Sequence, residues 1–133
     1  MKSCVVDTHA LLRYTGAGSG RLPLRVRRLF ERAEAGRGEI IIPILVAWET
    51  ALLVEDGAIR LRPSFAQWWD ALSRLPGFHI QALDLEIIKA AFGLTILPDP
   101  SDRLFVATAL TLGLPLVSAD ARIAEAGLVE VVW

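Results

Sequence analysis

Four acidic residues stand where open α/β sheets do their chemistry. Asp7 ends a short apolar run, Ser3 to Val6. Glu49 is the only charge inside PILVAWETALLVE, residues 43–55. Asp102 lies in the first turn after Asp99-Pro100, and the apolar run Leu114 to Ser118 ends in Ala119-Asp120. In a parallel sheet the carboxyl ends of strands and the starts of the following helices share one edge, so Asp7, Asp102 and Asp120 are expected to converge there. Glu49 joins them if its helix runs back over that edge. Two carboxylates ~6 Å apart at an effective dielectric of ~20 repel by about 3 kcal/mol. A cluster of three or four therefore takes up protons or holds a cation. Oxygen-only ligands, with no His or Cys among them, suit Mg²⁺ or Mn²⁺ rather than Zn²⁺. An ion held this way can activate water and stabilise the charge on a phosphodiester under attack.

Each acid also has a purely structural reading. Asp7, Asp99 and Asp120 all stand where an aspartate caps a helix, and Asp102 then occupies the third helical position. Glu49 fits the exposed stripe of its helix, although a carboxylate beside Trp48, Ala51 and Leu52 needs water or a partner. Thr8 and Ser118 are small hydroxyls beside Asp7 and Asp120, suited to orienting a carboxylate. Arg103, next to Asp102, is a candidate to bind phosphate or to neutralise the cluster. The two histidines, His9 and His79, are read as structural: they make no triad and no zinc site.

The elements that must position these residues alternate. Ser3–Val6 reads as a strand and Thr8–Tyr14 as a helix. The TGAGSG stretch, 15–20, is a flexible connection rather than a phosphate cradle, because no strand directly precedes it and no Lys-Ser/Thr follows. Residues 23–35 have helical spacing, with Leu22, Val26, Leu29, Phe30 and Ala33 on one side. Glu39–Ile42 is a short strand, followed by a helix over 43–55. Ser64 with Gln67 forms a capping box that opens a helix to about Leu75. Phe78–Leu83 alternates like a strand. Helices follow over 85–94 and 100–112, the latter stopped by Gly113. Leu114–Ser118 is a strand, 121–126 a short helix and Leu128–Val132 a last strand. This alternation implies right-handed crossovers and a mostly parallel sheet covered on both faces.

The composition narrows the function classes. The chain has 133 residues, the length of one domain, and no internal repeat or linker divides it. Hydrophobic content is 53% and mean hydropathy +0.46, which suggests strands buried on both faces or a surface covered by a partner. A net charge of -1 gives no global attraction to nucleic acid. Arg21, Arg25, Arg27, Arg28, Arg32 and Arg37 nevertheless fall in one segment, read here as a solvated helix laced with pairs such as Arg27–Glu31. Cys4, the only cysteine, lies in the first strand, so a buried and inert thiol is expected. Asp7 interrupts any signal-peptide core, and no apolar run is long enough to span a bilayer. A soluble cytoplasmic protein is the expectation.

Read together, Asp7-Thr8-His9-Ala10-Leu11-Leu12, Trp48-Glu49, Asp99-Pro100-Ser101-Asp102-Arg103-Leu104 and Leu116-Val117-Ser118-Ala119-Asp120 resemble the PIN-domain ribonucleases, in particular the VapC-like toxins of toxin–antitoxin pairs. The similarity covers essentially the whole chain, in order. The resemblance implies one PIN-like domain over residues 1–133: an α/β/α three-layer sandwich with the first strand central. It implies a Mg²⁺- or Mn²⁺-dependent endoribonuclease, often directed at tRNA or rRNA. The acidic set carries over onto Asp7, Glu49, Asp102 and Asp120, with Asp7, Asp102 and Asp120 holding the metal and Asp99 as a neighbour. It also implies a homodimer and a small antitoxin lying over the site, in a groove for which Trp48, Trp68 and Trp69 are candidate lining residues.

Three positions depart from the common pattern. Leu53 stands where many relatives have Lys, Arg13 where an aromatic is common, and Leu97-Pro98 where a His often precedes the acidic stretch. Two rival classes compete with this reading. A phosphorelay receiver needs a strand-end lysine, and neither Lys2 nor Lys89 fits. A non-catalytic PIN-like module that binds RNA or protein without cutting is the alternative to a nuclease.

Overall fold

The computed structural model describes residues 2–133. Five strands and seven helices follow one another among these residues: β1 (Ser3–Val6), α1 (Thr8–Thr15), α2 (Leu24–Glu34), β2 (Glu39–Pro43), α3 (Ile44–Glu55), α4 (Phe65–Ser73), β3 (Phe78–Gln81), α5 (Leu85–Ala91), α6 (Pro100–Leu112), β4 (Leu116–Val117), α7 (Ala121–Ala126) and β5 (Val131–Val132). All strand pairings are parallel, in the order β3-β2-β1-β4-β5, so the first strand is central. Cys4, Val5 and Val6 are successive residues, point to opposite faces of the sheet, and are all at most 1% exposed. Both faces of β1 are therefore covered, as a three-layer α/β/α sandwich requires.

The strand order has a reversal in it. From β1 the chain moves outward through β2 to β3, then crosses back to lay β4 on the other side of β1. The right-handed rule for parallel crossovers then assigns α1–α4 to one face and α5–α7 to the other. The reversal leaves a crevice between the carboxyl ends of β1 and β4, because the connections leaving these two strands depart in opposite directions.

Local chemistry explains where the helices begin. Asp84 Oδ1 accepts from the Ile87 N–H at 2.9 Å, and Asp99 caps α6 with Pro100 at its start. A cap of this kind stabilises by about 1 kcal/mol. The Ser64 hydroxyl accepts from the Gln67 N–H at 3.2 Å and donates to Gln67 Oε1 at 3.1 Å. The expected capping box is thus closed between side chains, not onto the Ser64 backbone. α6 ends where expected, at Gly113, whose φ of 66° is left-handed.

One large cluster fills the sandwich. Tyr14 stacks on Phe30 with ring centroids 4.3 Å apart, and Phe78 packs beside both. Ile87, Ala91 and Ala107 form a second cluster joining α5 to α6. Gly77 is required by a close approach: a Cβ there would lie 2.4 Å from the carbonyl oxygens of both Ala33 and Gly38. α2 buries Val26, Phe30 and Ala33 and turns its arginines outward. Of these, Arg27 lies 5.9 Å from the Tyr14 ring centroid, and Arg25 donates to the main-chain oxygen of Trp133. Cys4 is buried, and burial pushes its thiol up to about 12. No helix among the described residues is long and apolar enough to cross a membrane.

Several boundaries differ from the sequence expectation. The strand expected over 114–118 is only Leu116–Val117, and the last, expected over 128–132, is Val131–Val132. β4 is limited by its neighbours: it pairs with β1 through Val5–Leu116 and Val6–Val117, and with β5 through two residues. The strand expected to reach Leu83 stops at Gln81, which pairs with Pro43 at the end of β2. The helix expected to reach Leu94 stops at Ala91, where Phe92 turns to extended backbone.

Candidate active site

Asp7 leaves β1 at the crevice. Its backbone is extended and its Oδ1 accepts from the Ala10 N–H at 2.9 Å, capping α1. Across the crevice, the residue after β4 is Ser118. Its hydroxyl accepts from the Asp120 N–H at 3.1 Å and donates to the Asp7 carboxylate. Ser118 thereby ties the two strand ends together. Asp7 is only 8% exposed, and burial raises its pKa above the ordinary carboxylate range. The hydrogen bonds from Ser118 and Ala10 and the nearby His9 pull it down, while the charge of Glu49 pushes it up.

Glu49 does face the cluster. It reaches the site from the second turn of α3, and its Oε1 accepts from the Thr8 hydroxyl. Just after it, the Thr50 hydroxyl accepts from Trp69 Nε1 at 3.2 Å, which braces α3 against α4. Asp99 Oδ1 accepts from the N–H groups of Ser101 at 2.8 Å and Asp102 at 3.4 Å. Asp120 caps α7 through the Arg122 N–H at 2.9 Å and makes an ion pair with Arg122 Nε at 3.7 Å. Asp102 is not a cap. Its carboxyl is pushed up to about 6, first by burial, then by the charges of Asp99 and Asp120, with Asp7 adding to the effect and Arg122 opposing it.

These residues share one open cavity. Asp7, Thr8, Glu49, Asp99, Asp102 and Asp120 all line a hollow of about 520 Å³ at the β1–β4 crevice. A larger hollow of about 910 Å³, between Val54 and Pro63 beyond α3, has no acid in its wall. Capping does not exclude a second role here. An ionised carboxylate has two oxygens and about four acceptor sites, and a helix N–H uses one. The structural and chemical readings of Asp7, Asp99 and Asp120 are therefore compatible.

Among the described residues, no group of three or more His, Cys, Asp or Glu side chains stands as a ready-made metal cage. The chemistry of the donor set nevertheless fits a hard divalent cation. The donors are oxygens, and the charges of Asp99, Asp120 and Asp7 all bear on the partly buried Asp102, opposed by Arg122.

Other positions differ from expectation. Arg103 does not line the cavity: its Nε donates to the Leu97 carbonyl at 2.5 Å, holding the loop ahead of α6. Trp69 is buried and structural, with Trp68 packed edge-on against it at 5.1 Å, so neither forms an open groove wall. Trp48 is 59% exposed, in a stripe with Ile44 and Leu52 along α3. The histidines are not core residues: both are exposed, and His9 lines the cavity. Arg13 and Arg122 also line it, which was not anticipated. The i,i+4 spacing of His9 and Arg13 on α1 was the available signal for Arg13.

The PIN domain family model matches residues 4–128. The chain belongs to the PIN domain family. A comparison with curated proteins finds no match. Three solved structures share the fold. A toxin–antitoxin complex from Klebsiella pneumoniae is 19% identical with a TM-score of 0.64, covering 98% of this chain and 96% of that one. FitAcB from Neisseria gonorrhoeae is 17% identical with a TM-score of 0.66, covering 96% and 95%. VapBC2 from Rickettsia felis, bound to a DNA fragment from their promoter, is 12% identical with a TM-score of 0.68, covering 98% and 97%.

Proposed function

We propose that this PIN domain is a Mg²⁺- or Mn²⁺-dependent endoribonuclease and the toxin of a toxin–antitoxin pair, acting on RNA in the cytoplasm, with tRNA and rRNA the first substrates to test. The observation that carries the reading is the single cavity shared by Asp7, Glu49, Asp102 and Asp120 at the β1–β4 crevice. Asp7, Asp102 and Asp120 are the residues assigned to hold the divalent ion. When bound, such an ion supplies water activation and stabilises charge on the phosphodiester. Glu49 binds or orients the attacking water. Thr8 fixes Glu49 through its hydroxyl, and Ser118 fixes Asp7. Asp99 adds negative charge beside Asp102.

The partner assignments are supported by exposed apolar surface. The α3 stripe of Ile44, Trp48 and Leu52 lies beside the cavity and is assigned to the antitoxin. A toxin–antitoxin complex among the similar folds supports that choice. Leu85 and Ile88 on α5, with Phe92 just past its end, are assigned to a second copy of the chain; Phe92 is 89% exposed. Aromatic and aliphatic patches of this kind are what protein interfaces cover.

One observation favours a second reading, a module that binds RNA or protein without cutting it: the lack of a ready-made metal cage among the described residues. Cleavage of total RNA by purified protein separates the two. Discrete fragments that require Mg²⁺ or Mn²⁺, vanish in EDTA and vanish in Asp7→Asn are expected of the nuclease. RNA binding without cleavage under any metal would establish the binding module instead.

A further inference from the structure

An acidic cavity repels the polyanion it is proposed to cut. A bound cation answers that at the scissile phosphate, but the flanking phosphates need positive charge from the protein itself. Three arginines are near enough to consider. Arg103 is turned away onto the Leu97 carbonyl, and Arg122 is paired with Asp120. Arg13 is different. It lines the cavity, yet among the described residues no carboxylate lies within 4.0 Å of its nitrogens.

What holds Arg13 off the carboxylates is visible. Its guanidinium carbon lies 5.2 Å from the ring centroid of Trp133. On another side the 16–20 loop presses close: a Cβ on Gly20 would meet Arg13 Nε at 3.0 Å. Trp133 is itself anchored, since its main-chain oxygen accepts from Arg25 Nε at 2.8 Å and also from Arg25 Nη2. An unrestrained arginine beside several carboxylates collapses into a bidentate pair with one of them. Here a cation–π contact and a loop hold the guanidinium apart from them. A fixed, planar cation at the rim of an acidic cavity matches a phosphate diester, which it can grip through two parallel N–H donors.

We infer that Arg13 is a substrate-binding residue, gripping an RNA phosphate next to the one being cut, and that Trp133 is its positioning residue. The inference rests on the nuclease reading above.

The test measures binding of a short fluorescent single-stranded RNA, with Mg²⁺, over a range of salt. Asp7→Asn is the non-cutting background. Adding Arg13→Gln is expected to weaken binding about tenfold. It should also flatten the slope of log affinity against log salt by about 0.7, the loss of one phosphate contact on a single strand. Arg13→Lys restores the slope but only part of the affinity, because an ammonium is a point charge. Trp133→Leu frees Arg13 to pair with the carboxylates and flattens the slope as Arg13→Gln does, which a merely structural role for Trp133 would not do. Cleavage by the otherwise unchanged protein is measured alongside. RNA that is cut, with Arg13→Gln matching its parent in both affinity and slope, overturns this inference alone. RNA bound in an Arg13-dependent way but never cut overturns the nuclease reading and keeps the inference. No RNA binding by any form overturns both.

Discussion

Replacing Asp102 by Asn tests whether burial and the neighbouring carboxylates together penalise its charge. The Asp102 carboxyl is pushed up to about 6 by burial and by Asp99, Asp120 and Asp7. A folded-state value above the unfolded one means that the folded protein binds the extra proton. Its contribution to stability is fully present below about pH 4 and is lost as pH rises through 6. A shift of this size corresponds to about 3 kcal/mol at most. Asp102 is partly exposed, so solvent screening reduces this to about 1 kcal/mol. Asn keeps the shape and removes the charge. In EDTA at about pH 7.5, Asp102→Asn should melt about 4 °C above its parent, and the two should coincide near about pH 4. Mg²⁺ at about a hundred times its Kd adds about 2.7 kcal/mol to the parent, and the variant should lose most of that gain. Thermal unfolding by circular dichroism, with and without Mg²⁺ at both pH values, reads all four conditions. A variant that melts with its parent in EDTA at the higher pH would refute that penalty on the Asp102 charge. An equal gain from Mg²⁺ would refute Asp102 as a ligand.

Two further predictions concern the frame. Gly77→Ala sets a Cβ against the carbonyls of Ala33 and Gly38, both of them backbone and neither free to yield. It should cost about 3 kcal/mol, lowering Tm by about 10 °C, and a change within about 2 °C would mean that the strand shifts freely. Burial pushes the Cys4 thiol up to about 12, so a thiol reagent at about pH 8 should label it only as fast as the protein unfolds. Labelling of the folded protein within the mixing time would contradict its placement in the central strand.

The path from sequence to site was open where local chemistry decides and closed where neighbours decide. Asp7, Asp99 and Asp120 were legible as helix caps because capping is written within three residues. Their convergence followed from the parallel sheet, once alternation had implied it. Glu49 could not be oriented from α3, because a helix apolar nearly all round has no periodic stripe to say which side faces inward. For the same reason nothing local marked Trp48 on α3 as exposed, whereas Trp69 shares the apolar face of α4 with Phe65 and Leu72, a pattern that points it inward. Strand lengths were overestimated at β4 and β5 because a ladder is as long as its partner allows, and the partner is distant in sequence. Arg103 was a reasonable phosphate ligand by adjacency to Asp102, but its place on α6 takes it to the Leu97 carbonyl instead.

The pairing of Val5 with Leu116 has a consequence for synthesis. The first strand leaves the ribosome well before β4, the strand that completes its crevice. Closing so long a loop is slow and cannot begin until β4 has emerged. A nascent chain that stops before Leu116 carries Asp7, Glu49 and Asp102 but has neither the β4 wall nor Asp120. That order of assembly leaves the acidic cavity unfinished until β4 and Asp120 have been translated. On the nuclease reading proposed above, products terminated before β4 should then be inert without any inhibitor to restrain them.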